Sequence, residues 1–198
     1  SLLPALRGPA PINWAIINGD RETGVSTIRL ARELDAGDIF RQERVPVGER
    51  DNAATLSARL AERGADILLA TLRGLRDGTT TATPQQGQPT YAPKITAETQ
   101  RIDWNADAAA VDRLVRGLYP DAPATTAFRG KPLQVLEAEP AAATAVPGEI
   151  AAVDAQGITV GCGRDALVLK TVKPAGRPAM PAPAFAAGRR ISVGEKLG

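Results

Sequence analysis

Residues 77–93 read DGTTTATPQQGQPTYAP, and this stretch divides the chain. It holds almost no large apolar side chains and is rich in Thr, Gln, Gly and Pro, a composition typical of loops and interdomain connections. The hydrophobic patterns on its two sides differ, and 198 residues suffice for two small domains. We therefore predict a first domain over residues 1–80, a linker over residues 81–94 and a second domain over residues 95–198.

On the amino-terminal side of this stretch, the sequence predicts two strands followed by a long helix. Residues 25–30 (VSTIRL) and 39–47 (IFRQERVPV) are rich in β-branched residues with partial alternation. From Asn52 to Leu75, apolar residues recur at spacings of three and four, as on one face of a helix. The apolar positions are Leu56, Leu60, Ala61, Ala65, Leu68, Leu69 and Leu72. This order predicts the second half of an α/β domain whose sheet is incomplete.

On the carboxy-terminal side, the pattern changes to a helix followed by short strands. The helix is predicted at about residues 106–117. The strands are predicted at residues 125–128, 133–138, 148–153, 158–161 and 166–172. Short strands at roughly ten-residue spacing, separated by Gly, Pro and Asp, are typical of a small sandwich or barrel.

Two absences exclude several classes of protein. The chain has no histidine, which excludes a Ser-His-Asp triad, a histidine zinc site and a histidine general base supplied by these residues alone. Its single Cys162 cannot form an intrachain disulfide or a thiolate cluster, so we expect a reducing, cytoplasmic compartment. No apolar run reaches the roughly 18 residues of a membrane span. We expect neither a metal site nor a membrane partner.

The carboxy-terminal end is basic although the net charge is only +2. Residues 161–198 carry seven basic and two acidic side chains. Such an excess is typical of a surface that binds a polyanion such as RNA, although a solvated surface is its commoner cause. The candidate phosphate-binding residues are Lys170, Lys173, Arg189 and Arg190, together with Lys94 beside the aromatic Tyr91.

Two short motifs in the first domain are candidates for chemistry. The run Ser1-Leu2-Leu3-Pro4 precedes further Gly and Pro turns that lead into an apolar helix, and such loops either present backbone groups to a ligand or simply turn the chain. The run Leu34-Asp35-Ala36-Gly37-Asp38 places two carboxylates around a glycine turn. One of them could act as an acid or base, and the same pattern is also common turn chemistry.

In their order and spacing, these motifs resemble one family, bacterial methionyl-tRNA formyltransferase. The resemblance covers essentially the whole chain. It rests on SLLPALRGPAPINWAIINGDRETGV at residues 1–25, LDAGDIF at 34–40, YAPKI at 91–95, RIDW at 101–104, FRGKPLQVLEA at 128–138, PGEI at 147–150 and GRR at 188–190.

The resemblance implies an enzyme that transfers a formyl group from 10-formyltetrahydrofolate to the methionine amino group of initiator tRNA. It implies a monomer with a Rossmann-like α/β catalytic domain, followed by an OB-like open β-barrel that helps to hold the tRNA. By the same resemblance, the residues Ser1, Leu2, Leu3 and Pro4 line the folate site and Asp35 is the catalytic aspartate. The tRNA contacts would come from Lys94, Lys170, Lys173, Arg189 and Arg190.

The chain departs from the family at its start. The family's other two catalytic groups, an asparagine and a histidine in an Asn-x-His-Gly motif, lie immediately before the Ser-Leu-Leu-Pro segment and are not in this sequence. We therefore expect an N-terminally truncated fragment that is inactive by itself. In the complete enzyme, Asp35 would orient the histidine and help to move the proton of the amine.

Two other functions remain open. Sugar-nucleotide formyltransferases, which use a UDP-amino sugar as acceptor, share the Ser-Leu-Leu-Pro region and the aspartate motif. The region from Tyr91 to Trp104 and the basic end favour the tRNA enzyme. The second alternative is a non-catalytic RNA-binding module built on the barrel alone.

Overall fold

The computed structural model describes residues 1–198, which divide into two compact units, Ser1–Ile95 and Thr96–Gly198. Each unit has buried apolar residues of its own. None of the five helices combines the length and apolarity needed to cross a membrane.

The first unit is a two-stranded hairpin packed against two helices. Helix α1 (Pro11–Asn18) precedes strands β1 (Glu22–Ile28) and β2 (Ile39–Pro46), and helix α2 (Ala53–Arg76) follows them. The strands pair antiparallel, with Ser26 opposite Gln42. Both predicted strands and the long helix are present, with β1 starting three residues earlier than predicted.

Helix α2 begins where the sequence predicts and buries only part of the predicted face. The side chain of Asn52 accepts a hydrogen bond from the Thr55 amide and Thr55 returns one, a capping box that fixes the helix start. The buried positions are Leu56, Leu60, Ile67, Thr71 and Gly74. Leu56 and Leu60 are thus buried as predicted. The prediction is wrong for the other five positions, which are exposed: Ala61, Ala65, Leu68, Leu69 and Leu72. The helix carries two apolar stripes, and the hairpin covers only one.

Residues 83–92, inside the stretch assigned to a linker by composition, are hydrogen-bonded to the first unit. The amide of Ile39 donates to the Thr83 carbonyl at 2.8 Å, and the Thr83 amide returns the bond at 2.9 Å. Further along, the Arg7 amide donates to the Thr90 carbonyl at 2.8 Å and the Ala92 amide to the Arg7 carbonyl at 2.7 Å. This segment is therefore part of the unit that carries the candidate site.

The second unit is a six-stranded antiparallel sheet with three helices. Short helix α3 (Ala97–Gln100) and helix α4 (Ala108–Leu118) precede the strands, and helix α5 (Ala182–Arg189) follows them. The strands are β3 (Ala124–Phe128), β4 (Lys131–Ala141), β5 (Ile150–Asp154), β6 (Gly157–Gly161), β7 (Ala166–Pro174) and β8 (Met180–Pro181).

The strand order is β3-β4-β7-β6-β5, and β8 pairs with β7. All five predicted strands are present, whereas β8 and α5 were not predicted. The outer strands β3 and β5 do not pair with each other, so the sheet does not close into a barrel. Trp104 belongs to the core of this unit, since it is 5% exposed and its Nε1 donates to the Thr126 hydroxyl at 3.1 Å.

Cys162 lies in the core of the second unit as a free thiol. Burial raises its pKa to about 11, and the nearby carboxylates of Asp107 and Asp165 add to the shift. The thiol is therefore protonated at neutral pH and is a poor nucleophile.

Candidate active site

The hairpin of the first unit holds the Ser-Leu-Leu-Pro segment through two facing side chains. The Ser26 hydroxyl donates to the Ser1 carbonyl at 2.7 Å and accepts from the Leu3 amide at 3.3 Å. Gln42, opposite Ser26 on β2, donates from Nε2 to the Leu3 carbonyl at 2.8 Å and to the Ser26 hydroxyl at 2.9 Å. The two strands therefore fix the backbone of the predicted folate-binding residues.

The approach of this segment to the hairpin depends on Gly24. A Cβ atom at that position would lie 2.1 Å from the Glu43 carbonyl oxygen and 2.5 Å from Cδ2 of Leu2. Only glycine leaves room for both neighbours. The alternation of β1 gives no warning of this requirement.

Asp35 lies in the connection between the two strands, and its backbone is left-handed with φ 51°. Its Oδ2 atom accepts a hydrogen bond from the Gly8 amide at 2.8 Å. The structure thus places the predicted catalytic carboxylate against the Gly8 amide, four residues after the end of the predicted folate-binding segment.

Gly37 shapes the same connection. A Cβ atom there would lie 1.7 Å from the Arg29 carbonyl oxygen, so the chain can pass only without a side chain. Next to it, the Arg29 amide donates to the Asp38 carbonyl at 2.8 Å. Asp38 has no side-chain contact of this kind to Gly8, so the two carboxylates of the motif have different surroundings.

Gln85 contacts the same connection, although no pattern in the sequence marks this position. Its Nε2 atom donates to the carbonyl oxygens of Asp35 and Gly37 at 2.7 and 2.8 Å. Its Oε1 atom accepts from Arg7 at 3.2 and 2.5 Å. One glutamine among several in a stretch rich in Gln, Gly and Pro gives no sequence signal that it contacts the candidate site.

A cleft of about 310 Å³ lies beside the Ser-Leu-Leu-Pro segment. Its volume is at the lower end of the range for ligand-binding clefts. Burial raises the pKa of one lining carboxyl, that of Asp20. The lining residues are Ser1, Leu2, Ala5, Leu6, Asp20, Arg21, Glu22 and Thr23.

The predicted tRNA-binding residues are divided between the units. Lys94 is exposed in the first unit, and the other four lie in the second. A β-bulge in the pairing of β4 with β7 shifts the alternation, so that the buried positions of β7 continue at Val172 after Leu169. Lys170 and Lys173 therefore share the face opposite the core. Lys170 pairs with Glu139 at 3.4 Å.

Arg189 and Arg190 lie at the carboxy-terminal end of α5. Arg190 is left-handed with φ 50°, and the Arg189 carbonyl accepts from Nη1 of Arg129 at 3.2 Å. Arg189 also lines a mostly apolar cavity of about 140 Å³ together with Lys131. The structure therefore brings two of the predicted cations together at one helix end and two others on one strand.

No group of three or more Cys, Asp or Glu side chains is arranged to hold a metal ion. Every protein group described at the site is instead a backbone amide or carbonyl, a carboxylate, a hydroxyl, a side-chain amide or a guanidinium. This donor set suits an organic substrate bound by shape and hydrogen bonds.

Both units match the profiles of one family. The profile described as "Formyl transferase" matches residues 1–72, and the one described as "Formyl transferase, C-terminal domain" matches residues 94–190. The curated protein named methionyl-tRNA formyltransferase from Solibacter usitatus is 44% identical over 201 residues. The alignment covers 100% of this chain, which spans 64% of the length of that relative.

Solved structures share the fold. HypX from Aquifex aeolicus in complex with tetrahydrofolic acid is 25% identical, with a TM-score of 0.75 over 96% of this chain and 34% of that one. An N-formyltransferase from Helicobacter canadensis, in complex with folinic acid and dTDP-3-aminofucose, has a TM-score of 0.68 at 14% identity and covers 84% of this chain and 62% of its own. With both profiles matched in order along its two units, the chain belongs to the formyl transferase family.

Proposed function

We propose that this protein transfers a formyl group from 10-formyltetrahydrofolate to the amino group of methionyl-initiator tRNA, with Asp35 as the catalytic carboxylate. The observation that carries this proposal is the position of Asp35. Its Oδ2 atom accepts a hydrogen bond from the amide of Gly8, four residues after Pro4 of the Ser-Leu-Leu-Pro segment. The name and the 44% identity of the curated relative support the same activity and acceptor.

The Ser-Leu-Leu-Pro segment is suited to hold a folate by shape. Its carbonyl groups already accept bonds from Ser26, Ala5, Gln42 and Thr90, so the segment offers a rigid, largely apolar wall. Its first two residues line the adjoining cleft. The folate co-substrate supplies the formyl group, and these residues would hold and orient its carrier.

Asp35 supplies the proton acceptor. An attacking ammonium group must lose protons to become and remain a nucleophile, and a fixed carboxylate beside the acceptor can take one directly or through water. The bond from Gly8 holds Oδ2, which leaves Oδ1 available for that task. Because the carboxylate is held before substrate binds, little reorganisation accompanies proton transfer.

The 198 residues contain no histidine and no Asn-x-His-Gly motif, the source of the family's other two catalytic groups. Removing a single oxyanion donor typically costs about 2.7–4 kcal/mol of transition-state stabilisation. We therefore expect the 198-residue chain alone to transfer no formyl groups. The activity is therefore assayed in a chain that also carries an Asn-x-His-Gly segment before residue 1, called the complete product below.

The acceptor is tested by direct competition. The complete product is incubated with 10-formyltetrahydrofolate and either methionyl-initiator tRNA or a UDP-amino sugar, and the formylated product is identified by mass spectrometry. We expect formyl-methionyl-tRNA to be the preferred product. Preferred formylation of the sugar nucleotide would replace the proposed acceptor, and no formylation of either would refute the activity.

The basic end of α5 is proposed to contact tRNA phosphates. Replacing Arg189 and Arg190 by Ala should weaken tRNA binding to the 198-residue chain and reduce the slope of log K against log salt by about one unit per lost phosphate contact. The matched control replaces the exposed Arg32 and Arg73 of the first unit by Ala, and it should leave the slope unchanged. Equal losses in both double variants, measured by filter binding at several salt concentrations, would argue against this surface.

The finer architecture belongs to the same proposal. We take the first unit as part of a Rossmann-like domain and the six-stranded sheet as an OB-like open β-barrel. The proposed domains are residues 1–80 and 95–198, joined by a connection over residues 81–94 whose residues 83–92 are hydrogen-bonded to the first domain. Lys94, Lys170 and Lys173 are proposed as further tRNA contacts. The acceptor is a component of translation, so we place the reaction in the cytoplasm and propose a monomeric enzyme.

A further inference from the structure

Gln85 uses its whole hydrogen-bonding capacity on two segments of the candidate site. A side-chain amide has two N–H donors and one carbonyl oxygen with two lone pairs. The two donors of Gln85 go to the carbonyl oxygens of Asp35 at 2.7 Å and Gly37 at 2.8 Å. The oxygen accepts from Nε and Nη2 of Arg7 at 3.2 and 2.5 Å. A surface glutamine with an incidental position would not satisfy all four.

The segment that Gln85 contacts is one that needs support. Asp35 has φ 51°, a backbone conformation that residues with a side chain adopt at a cost and keep only where the surroundings hold it. Gly37, two residues later, passes so close to the Arg29 carbonyl that no side chain fits. Among the described backbone hydrogen bonds, none reaches the carbonyl oxygens of Asp35 or Gly37, so their protein donor is Gln85.

The other end of the contact is equally fixed. Arg7, which donates to Gln85, is anchored by backbone bonds to Thr90 and Ala92. The next residue, Gly8, donates its amide to Oδ2 of Asp35. Gln85 therefore holds the backbone of Asp35, while Gly8, the residue after Arg7, holds the carboxylate of Asp35.

We propose that Gln85 is a positioning residue that keeps the Asp35 carboxylate in place for proton transfer, acting through the Asp35 and Gly37 carbonyls. This inference rests on the proposed function of Asp35. It assigns a catalytic task to a segment whose composition marks it only as a connection. Without the Gln85 donors, the Asp35 backbone loses its protein partner and the carboxylate moves relative to Gly8.

The test compares three variants of the complete product in methionyl-tRNA formylation. Gln85→Leu removes all four bonds, and Gln85→Glu keeps an acceptor for Arg7 while removing the donors to the Asp35 connection. Gln86→Leu is the matched control, since Gln86 is an exposed neighbour without such bonds. We expect both Gln85 variants to lower kcat by about 10- to 100-fold, the scale of a 1 Å misplacement. The KM for methionyl-tRNA should change less than twofold, and the control should match the unaltered protein.

A double-mutant cycle separates positioning from general loss of structure. In the Asp35→Asn background, Gln85→Leu should reduce kcat little further, because both changes act on the same carboxylate. Full additivity of the two changes would overturn the inference. So would a Gln85→Leu or Gln85→Glu variant with unaltered kcat beside an inactive Asp35→Asn variant, an outcome that leaves the proposed function standing. An active Asp35→Asn variant would instead refute the assignment of Asp35 as the catalytic carboxylate, on which this inference rests.

A measurement on the 198-residue chain does not depend on activity. Hydrogen exchange of the Gly8 amide reports whether the Asp35 carboxylate still accepts its bond. We expect faster exchange at Gly8 in both Gln85 variants, while amides in the core of the second unit stay unchanged. Unaltered exchange at Gly8 in a folded variant would contradict the positioning role, even if the activity of that variant were lost for another reason.

Discussion

Replacing Asp35 by asparagine is expected to lower kcat for formyl transfer by about 10²- to 10⁴-fold, the usual contribution of a general acid or base. Asparagine is close in size and tolerates the left-handed backbone that Asp35 adopts at φ 51°. Its side-chain oxygen can still accept from the Gly8 amide. The substitution thus keeps the hydrogen bond and the fold of the connection, and it removes the charge and the proton acceptor.

The measurement is the rate of formyl-methionyl-tRNA formation by the complete product at saturating substrates. Asp38→Asn is the matched control, because it removes a carboxylate from the same motif without touching the bond to Gly8. We expect the kcat of the control to fall by less than about threefold, a much smaller fall than the one expected when a general base is removed. If Asp38→Asn were inactive and Asp35→Asn active, the assignment of the two carboxylates would have to be exchanged.

The long helix shows how far periodicity can be trusted. Spacings of three and four predicted α2 almost to the residue, because any apolar stripe of sufficient length produces that signal. The same spacing could not decide which of two stripes is buried. Ile67 and Thr71 lie under the hairpin, and Thr71 shares a hydrogen bond of 2.8 Å with Thr27. Thr71 is polar, so it adds nothing to the apolar periodicity of the helix. Its burial depends on a hydrogen bond to another element, which the sequence pattern does not show.

The candidate site shows a different limit. The Asp35 motif and the Ser-Leu-Leu-Pro segment were recognisable because their Gly and Pro residues mark unusual backbone. Ser26, Gln42 and Gln85 were not, since each acts by donating to a carbonyl group of a distant segment. Such contacts depend on tertiary placement, and no local pattern of residue types records them.

The carboxy-terminal unit was predicted well where strands alternate and poorly where they do not. Strand β8 has two residues, and helix α5 is built from Ala, Pro and Gly with one buried aromatic residue, Phe185. Neither segment has a periodic pattern strong enough to distinguish it from a loop in the sequence. The extension of β4 to Ala141 also lies outside the predicted strand, because an Ala-rich and Pro-rich sequence is untypical of strands and is paired here with β7.

Replacing Gly37 by alanine is expected to destabilise the first unit by about 3 kcal/mol, the upper end of what overpacking costs. The added methyl group would lie 1.7 Å from the Arg29 carbonyl oxygen, a backbone atom that cannot turn away as a side chain could. The connection must therefore move, which breaks the Arg29 bond to Asp38 and the Gln85 bonds. For a unit of 95 residues, this corresponds to a fall of roughly 12–24 °C in the melting temperature.

The matched control is Gly64→Ala in α2, where the nearest atom to the added group is Cγ1 of Val25 at 3.9 Å, an ordinary contact. Alanine in a helix interior should stabilise the unit by about 0.5–1 kcal/mol. Calorimetry of the 198-residue chain separates the two effects, because only the transition of the first unit should move. An unchanged melting temperature in Gly37→Ala would mean that the connection has room to relax, and the fixed geometry inferred for Asp35 would lose its structural basis.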